Sequence, residues 1–347
     1  MSFSNKLLGW YKVNKRELPW RNTTNAYYIW LSEIILQQTR VDQGMPYYLA
    51  FVKEFPRVED LALATEDKVL KMWQGLGYYS RARNLHYTAK EIVKNYLGVF
   101  PTDYNKILKL KGIGTYTAAA ISSFAFDLPY AVVDGNVIRV LSRVFGVETP
   151  YDTSKGKKQF QELAQELLLK EDVANYNQAI MEFGAVQCKP KSPNCEVCPM
   201  MDFCDAFNTN RVAELPVKSK KIKVKHRYLH YLIIDNGINM CISKRKSGIW
   251  TGLYEFPFLE FDKVVSEKDV MQSENWINIF ENCSVSIESV SSQYIHVLSH
   301  QKIHAQFWRL KVGEFSSKEY ESVPYLELPN YPVSRLTEKY LESIELV

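Results

Sequence analysis

The chain has 347 residues, of which 46% are hydrophobic and 24% charged, with a formal net charge of +4. This length favours two domains over a single hydrophobic core, and the small net charge alone does not identify a partner. The sequence contains no apolar run long enough to span a membrane, and its start lacks the apolar core and cleavage site of a signal peptide. Composition therefore argues against a secreted or membrane-spanning protein and indicates an intracellular one.

Apolar residues at three- and four-residue spacing predict helices through most of the first 200 residues. The segments with this pattern are YYIWLSEIILQQT (27–39), ATEDKVLKMWQGLG (64–77), TYTAAAISSFAF (115–126), GNVIRVLSRVFG (135–146) and GKKQFQELAQELLLK (156–170).

Glu33 is the first candidate functional residue, because three of its four helical neighbours (Ile29, Trp30, Leu36 and Gln37) are apolar. Burial among them would raise the pKa of its carboxyl group, and a carboxyl group protonated near neutral pH is a candidate general acid. The alternative is a glutamate hydrogen-bonded inside the core.

Gly112-Ile113-Gly114 joins two helical patterns within LKLKGIGTYTAAA (108–120). The glycines allow a positive φ and a close backbone approach, and the next helix, predicted to begin near Thr115, would present free N–H groups to a phosphate. Such contacts suit sequence-tolerant DNA binding. An ordinary tight helix–helix turn is the alternative.

Asp134 precedes the helical pattern of residues 135–146 and is a good N-cap residue. The cap and the helix dipole predict a carboxylate with a lowered pKa. One raised and one lowered carboxyl group is the arrangement that splits a glycosidic bond. The sequence does not show whether Glu33 and Asp134 face each other.

The segment CKPKSPNCEVCPMMDFC (188–204) holds four of the six cysteines: Cys188, Cys195, Cys198 and Cys204. Four thiolates in a short loop can bind zinc or an iron–sulfur cluster, and ligand type alone does not separate the two. A disulfide is disfavoured in an intracellular protein.

The pattern changes across the basic run KSKKIKVKHR (218–227), which is either a solvated linker or a phosphate-contacting segment. Beyond it, HYLIIDNGINMCISKRK predicts a hairpin about an Asn-Gly turn. We therefore predict an all-α domain over residues 1–210 that includes the cysteine segment 188–204, a basic linker over 211–227 and an α+β domain over 228–347.

The hairpin LKGIGTYTA, the segment VDGNVIRVLSR and the cysteine spacing together resemble the iron–sulfur branch of the helix-hairpin-helix DNA glycosylase superfamily. The resemblance covers roughly residues 5–205 and implies a [4Fe–4S] cluster on the four cysteines. LPWR (18–21), WLSEIILQQTRV (30–41), GLGYYSRARNL (75–85) and NQAIMEFGAVQC (177–188) are similar to the adenine DNA glycosylase (MutY) family.

That family resemblance implies removal of adenine opposite 8-oxoguanine, and also opposite guanine. It implies Glu33 as the acid that protonates adenine, Asp134 as the carboxylate that stabilises the sugar cation, and Asn136 beside it. The residues that it implies in adenine or DNA contact are Trp20, Arg21, Gln38, Thr39, Tyr78, Gly112, Gly114 and Gln178. The enzyme is expected to be a nucleoid-associated monomer that binds double-stranded DNA.

Tyr116 completes the catalytic set that the resemblance implies. Lyase relatives carry at this position a lysine, whose amine forms a Schiff base with the sugar. A phenol cannot, so a monofunctional glycosylase that leaves an abasic site is expected. Three alternatives stay open from the sequence: an endonuclease III-like lyase on oxidised pyrimidines, a non-catalytic DNA-binding protein and a Nudix nucleotide hydrolase.

The C-terminal segment resembles the Nudix-like recognition domain of that family, through KRKSGIWTGLYEFP (244–257) and HVLSHQKIH (296–304). It lacks the G-x₅-E-x₇-R-E-x₂-E-E pattern of active Nudix hydrolases. We therefore expect this domain to recognise 8-oxoguanine and not to hydrolyse nucleotides. Ser299 and His300 match the family's 8-oxoguanine-reading loop. Leu298 departs from it, since the family has an aromatic residue there.

Overall fold

The computed structural model describes residues 2–219, 224–281, 283–313, 315 and 317–345. Contacts divide the chain into two compact units. The N-terminal unit comprises Met1–Leu63 and Asn84–Lys220, and the C-terminal unit comprises Ala64–Arg83 and Lys221–Val347. Residues 64–83 thus group with the second half of the chain. Residues 220–223 of the basic run lie outside the described residues.

Helices follow one another along the first 210 residues, as the periodicity predicts. They are α1 (Phe3–Asn14), α2 (Ala26–Ile35), α3 (Val41–Glu54), α4 (Val58–Leu63), α5 (Glu66–Met72), α6 (Ser80–Tyr96), α7 (Tyr104–Lys109), α8 (Thr115–Phe126), α9 (Gly135–Phe145), α10 (Ser154–Leu167), α11 (Val173–Val186) and α12 (Asp205–Asn208).

Local capping explains where several of these helices begin. The Asn25 side chain accepts a hydrogen bond from Tyr27 N at the start of α2, and Asp103 accepts one from Lys106 N at the start of α7. Packing then fixes the helices: one core of the N-terminal unit buries apolar side chains of α1, α9, α10 and α11, among them Leu7, Leu141 and Phe183. The position of α9 is therefore fixed by its packing in this core.

The predicted hairpin lies between α7 and α8, and α8 begins at Thr115 as expected. Gly112 has a φ of +80°, and a Cβ there would come within 2.7 Å of the Asn84 Cβ atom. Both conformation and space therefore require glycine at this position. Gly114 differs, because its backbone is extended (φ −93°, ψ −179°) and it caps α8.

The C-terminal unit contains a mixed sheet in which β1 and β7 run parallel, from Lys225↔Gln301 to Asp235↔Lys311. Its strands are β1 (Lys225–Asp235), β2 (Asn239–Lys244), β3 (Tyr254–Glu255), β4 (Phe258–Phe261), β5 (Val285–Val290), β6 (Tyr294–Val297), β7 (Gln301–Val312) and β8 (Glu321–Pro324). The main order is β3-β2-β1-β7-β5, with β4 on β1, β6 on β7 and β8 on β2.

The predicted Asn-Gly hairpin is confirmed, since β1 and β2 pair antiparallel across it and Gly237 has a φ of +85°. Apolar clusters form on this unit with its helices α13 (Glu267–Met271), α14 (Glu274–Phe280) and α15 (Arg335–Ser343). Tyr340 of α15 packs in the cluster of Phe307, and Trp276 of α14 in that of Trp308. The fold class is thus an all-α unit followed by an α+β unit.

Candidate active site

A cavity of about 170 Å³ opens in the N-terminal unit and brings together residues that are far apart in the sequence. Its lining includes many of the predicted site residues, namely Trp20, Arg21, Glu33, Thr39, Tyr116, Asp134, Asn136 and Gln178. A concave site with a few convergent polar groups is the usual form of a small-ligand pocket.

Glu33 lies on α2 and is only 7% exposed. The Tyr116 hydroxyl donates a hydrogen bond of 2.6 Å to its Oε2 atom. Burial raises the pKa of Glu33 to about 7, although the Tyr116 hydrogen bond lowers it. A substantial fraction of the carboxyl groups is therefore protonated at neutral pH, as the apolar neighbours in the sequence predicted.

Tyr116 is held as a neutral phenol. Burial, followed by the charges of Glu33 and Asp134, raises its pKa well above the ordinary value. The hydroxyl is therefore a permanent hydrogen-bond donor to Glu33, and it orients that carboxyl group in the cavity.

Asp134 caps α9, where it accepts hydrogen bonds from Val137 N (2.8 Å) and from Asn136 Nδ2 (2.7 Å). The predicted N-cap is confirmed, but the predicted lowering of its pKa is wrong. Burial raises the pKa of Asp134 by more than its hydrogen bonds and the charge of Arg139 lower it. The sequence pattern shows the cap, whereas the desolvation comes from neighbours on other segments.

Asn136 is held in place from its other side. Arg139 Nη2 donates to Asn136 Oδ1 (2.8 Å) and to the Gly184 carbonyl (2.7 Å). A Cβ atom on Gly184 would come within 2.6 Å of Asn136 Cβ, so a glycine in α11 lets the two backbones approach. The amide that contacts Asp134 therefore has little freedom.

Glu182 is a cavity residue that the sequence reasoning missed. Although burial raises its pKa, hydrogen bonds from Arg16 and Arg21 lower it to about 2. Arg16 Nε and Arg21 Nη2 each lie 2.7 Å from a Glu182 carboxylate oxygen. Glu182 lies among apolar residues in AIMEFGA (179–185), the same pattern that indicated Glu33, so the sequence could have identified it.

A groove beside the cavity joins Gln38, one of the predicted DNA contacts, with residues of the predicted hairpin. It is lined by Gln38, Gly114, Tyr116 and Asp134, among others. Gln38 is exposed and has a φ of +55°, a conformation that L-residues seldom adopt. The backbone thus directs an exposed amide side chain out of the turn that follows α2.

The C-terminal unit contains the other predicted DNA contacts. Tyr78 is 47% exposed with a φ of +49°, and its hydroxyl forms a short hydrogen bond with Ser299 Oγ. Ser299 and His300 are exposed, whereas Leu298 packs against the sheet core and its N–H donates to the Gln301 carbonyl. Leu298 therefore anchors the reading loop (residues 298–300) with an aliphatic side chain.

The cysteine loop (residues 188–204) packs its thiols Cys188, Cys198 and Cys204 against the helical core. Burial, together with smaller contributions from the charges of the other three thiols, raises the pKa of Cys198 to about 11, which indicates that the four thiols lie near one another. Among the residues described, no group of three His, Cys, Asp or Glu side chains is placed to hold a single metal ion.

Two arginines of α9 hold this loop. Arg143 donates to the carbonyls of Lys189 (2.8 Å) and Pro190 (3.1 Å), and its Nη1 lies 3.5 Å from Cys188 Sγ. Arg139 Nε donates to the Cys188 carbonyl (2.8 Å). Four thiols beside a buried guanidinium are a donor set that suits an iron–sulfur cluster, because the cation offsets the negative charge of the thiolates.

No helix in the described part of the chain is both long and apolar enough to cross a membrane.

Comparison with known families supports the organisation described above. Residues 31–168 match the HhH-GPD superfamily of base excision DNA repair proteins. Residues 188–204 match the iron–sulfur binding domain of endonuclease III, and residues 229–343 match the NUDIX domain. The predicted fold class and the [4Fe–4S] cofactor are thereby confirmed.

Individual relatives extend the match over nearly the whole chain. The adenine DNA glycosylase of Buchnera aphidicola subsp. Baizongia pistaciae is 33% identical over 91% of this chain and 88% of the relative. That of the Acyrthosiphon pisum subspecies is 32% identical over 99% and 98%. Among solved structures, a thermostable thymine-DNA glycosylase is 30% identical with a TM-score of 0.56, covering 60% of this chain and 95% of that one.

Proposed function

The chain belongs to the adenine DNA glycosylase family, and we propose that this base excision repair enzyme removes adenine mispaired with 8-oxoguanine or guanine, leaving an abasic site. The observation that carries the proposal is the cavity in which Glu33, with its pKa raised to about 7, and the capped Asp134 line the same space.

Glu33 acts as the general acid. A flipped adenine enters the cavity, because the glycosidic bond of a stacked base is out of reach. The protonated carboxyl group transfers its proton to a ring nitrogen of adenine, which makes the base a neutral leaving group as the C1′–N9 bond breaks. The Tyr116 hydroxyl, which donates to Glu33 Oε2, orients the group for this transfer.

Asp134 stabilises the sugar cation. Its carboxylate is held by Val137 N and Asn136 Nδ2 at the start of α9, so its position is set before the bond breaks. A water molecule then adds to C1′ and releases a proton, which restores Glu33 to its acid form. The products are adenine and an abasic site.

Tyr116 makes the enzyme a monofunctional glycosylase. The atom that this side chain presents to the cavity is a phenol oxygen that is already donating to Glu33. A phenol cannot form the Schiff base that strand cleavage by a lyase requires.

Four further residues line the same cavity and would bind the adenine: Trp20, Arg21, Thr39 and Gln178. Arg21 is itself oriented by Glu182, at 2.7 Å. The hairpin of Gly112 and Gly114 precedes α8, whose N-terminal N–H groups would bind a backbone phosphate.

Lesion recognition is assigned to exposed residues. Gln38 and Tyr78 would fill the gap in the base stack, and Ser299 and His300 would contact 8-oxoguanine. 8-Oxoguanine carries a proton on N7 where guanine has a lone pair, so the N7–H group can donate a hydrogen bond to a Ser hydroxyl oxygen, which guanine N7 cannot do. In this division, residues 1–210 contain the catalytic groups together with Gln38 and Tyr78, residues 228–347 contain Ser299 and His300, and residues 211–227 link the two parts.

The [4Fe–4S] cluster would be bound by Cys188, Cys195, Cys198 and Cys204. Excision of adenine transfers no electrons, so the cluster is proposed to stabilise the end of the helical unit. The contacts of Arg139 and Arg143 to the loop carbonyls support this role.

The test is base release from matched duplexes carrying A opposite 8-oxoguanine, G or T. We expect alkali-sensitive cleavage of the adenine strand for the first two and little for A:T. Borohydride should trap no protein–DNA adduct at the rate of base release. Rapid trapping, or release of oxidised pyrimidines in place of adenine, would contradict the proposal.

A further inference from the structure

The loop between α5 and α6 has a backbone that presents one aromatic side chain. Gly75, Gly77 and Tyr78 have φ values of +95°, +74° and +49°. Glycine adopts such values freely, whereas a tyrosine does so only when its surroundings hold it there. The neighbours of Tyr78 within the C-terminal unit therefore decide where its ring lies.

Two of those neighbours contact the Tyr78 side chain: Ser299 Oγ forms a hydrogen bond with its hydroxyl, and the ring lies against Arg81. Arg81 is only 8% exposed, so its guanidinium group is not displayed on the surface for a DNA phosphate. The group lies over the Trp73 ring at 5.2 Å and over the Tyr78 ring at 5.6 Å. Trp73 is itself fully buried, which gives the stack a fixed base.

Hydrogen bonds hold the guanidinium group in contact with the two rings. Arg81 Nη2 donates to the carbonyl of Gly77 at 3.1 Å, and the same carbonyl accepts a hydrogen bond of 3.0 Å from Trp73 Nε1. Arg81 N donates to the Tyr78 carbonyl at 2.9 Å. The arginine thus contacts both the ring of Tyr78 and the backbone that carries it.

We propose that Arg81 is a positioning residue that holds the Tyr78 ring ready to enter the base stack, by stacking its guanidinium group between Trp73 and Tyr78. This inference rests on the proposed function, which assigns Tyr78 as a wedge. A lysine cannot replace the arginine, because a compact ammonium group neither stacks as a plane on two rings nor keeps the fixed geometry of the guanidinium donors.

The first experiment compares Arg81→Lys with Arg57→Lys, the same change at an exposed arginine. Single-turnover adenine release is measured on a duplex with A opposite 8-oxoguanine. A second duplex carries 2-aminopurine beside the 8-oxoguanine. The fluorescence of 2-aminopurine rises when the base stack opens. We expect Arg81→Lys to reduce both the rate and the fluorescence rise by roughly tenfold, and Arg57→Lys to leave both unchanged.

A double-mutant cycle separates positioning from general stability. In a Tyr78→Ala background, Arg81→Lys should have no further effect, because the ring on which it acts is absent. Circular dichroism and Tm are recorded for every variant. If Arg81→Lys does not fold, Arg81→Gln is used, because its amide can still donate to the Gly77 carbonyl.

Three results would overturn the inference. A folded Arg81→Lys protein with a normal rate of adenine release and a normal rise in 2-aminopurine fluorescence would refute the inference directly. An undiminished effect of Arg81→Lys in the Tyr78→Ala background shows that the arginine acts elsewhere, while the wedge role of Tyr78 stands. A Tyr78→Ala protein with a normal rate of adenine release and a normal fluorescence rise would refute both the wedge role of Tyr78 and this inference. Its release of adenine would still support the proposed function.

Discussion

The catalytic cavity and the reading loop differ in how their functional groups are held. Glu33 is buried on α2 and Asp134 is half-buried at the N-cap of α9, and both make their hydrogen bonds inside the protein. Ser299 and His300 are exposed, and only their neighbour Leu298 is packed on a core. We therefore propose that the cavity is organised before DNA binds, whereas the contacts of the reading loop to the lesion form only when DNA binds. Substitutions in the cavity should then affect chemistry strongly, and those in the loop should affect discrimination mildly.

Glu33→Gln should have the largest effect, because it removes the proton that adenine needs to leave. We expect single-turnover base release to fall by at least about 10³-fold, near the upper range for general acid catalysis. DNA affinity, measured by a gel shift with the intact mispair, should change little. Residual activity within tenfold of the wild type would reject Glu33 as the acid.

Asp134→Asn should have the next largest effect. Asparagine is as good an N-cap as aspartate, so α9 and the Tm should be preserved while the negative charge is lost. We expect base release to fall by about 10²–10³-fold, the range seen when one transition-state-stabilising group is removed. A folded variant with a normal rate would place the stabilising charge elsewhere.

The raised pKa of Glu33 predicts a pH-dependent stability. The folded pKa of Glu33 is about 7, above its ordinary value of 4.5, so its contribution to the unfolding free energy is fully present below about pH 4.5 and is lost as pH rises to about 7. The unfolding free energy should fall by an amount on the order of 3 kcal/mol over this range. The unfolding free energy of Glu33→Gln, compared with the wild type at pH 5 and pH 8, should lack this component.

Tyr116→Phe should displace the pH profile of base release. The lost hydrogen bond lowers the pKa of Glu33 in the wild type, so the variant should have a higher Glu33 pKa. The decline in rate on the alkaline side should move upward by about one pH unit. An unchanged profile would mean that Tyr116 does not act through Glu33.

Ser299→Ala should have the smallest effect, and it tests the reading loop in place of the cavity. The variant loses the hydrogen bond proposed to 8-oxoguanine and the one to the Tyr78 hydroxyl, and the preference for A:8-oxoguanine over A:G should fall by about two- to tenfold. Base release from A:G should stay near the wild-type rate. Val297→Ala, an exposed change beside the reading loop, is the matched control.

Residues whose signal is local were predictable. The apolar neighbours of Glu33, the cap at Asp134, the glycine of the hairpin and the spacing of the cysteines depend on a few adjacent positions. The pKa of Asp134 was predicted wrongly, because the desolvation that raises it comes from segments that only the fold brings together. Glu182 had a local signal, but its partners Arg16 and Arg21 lie more than 160 residues away.

The sequence by itself determined the helical and strand periodicities, the turn glycines and the cysteine ligand set, and it indicated Glu33 and Asp134 as candidate carboxyl groups, since each depends on side-chain type and short-range spacing. Only the tertiary structure decided that Glu33, Tyr116 and Asp134 share one cavity, and that Arg81 stacks on Tyr78 in place of facing solvent. Burial and charge–charge contacts are properties of neighbours in space, and long-range packing selects those neighbours.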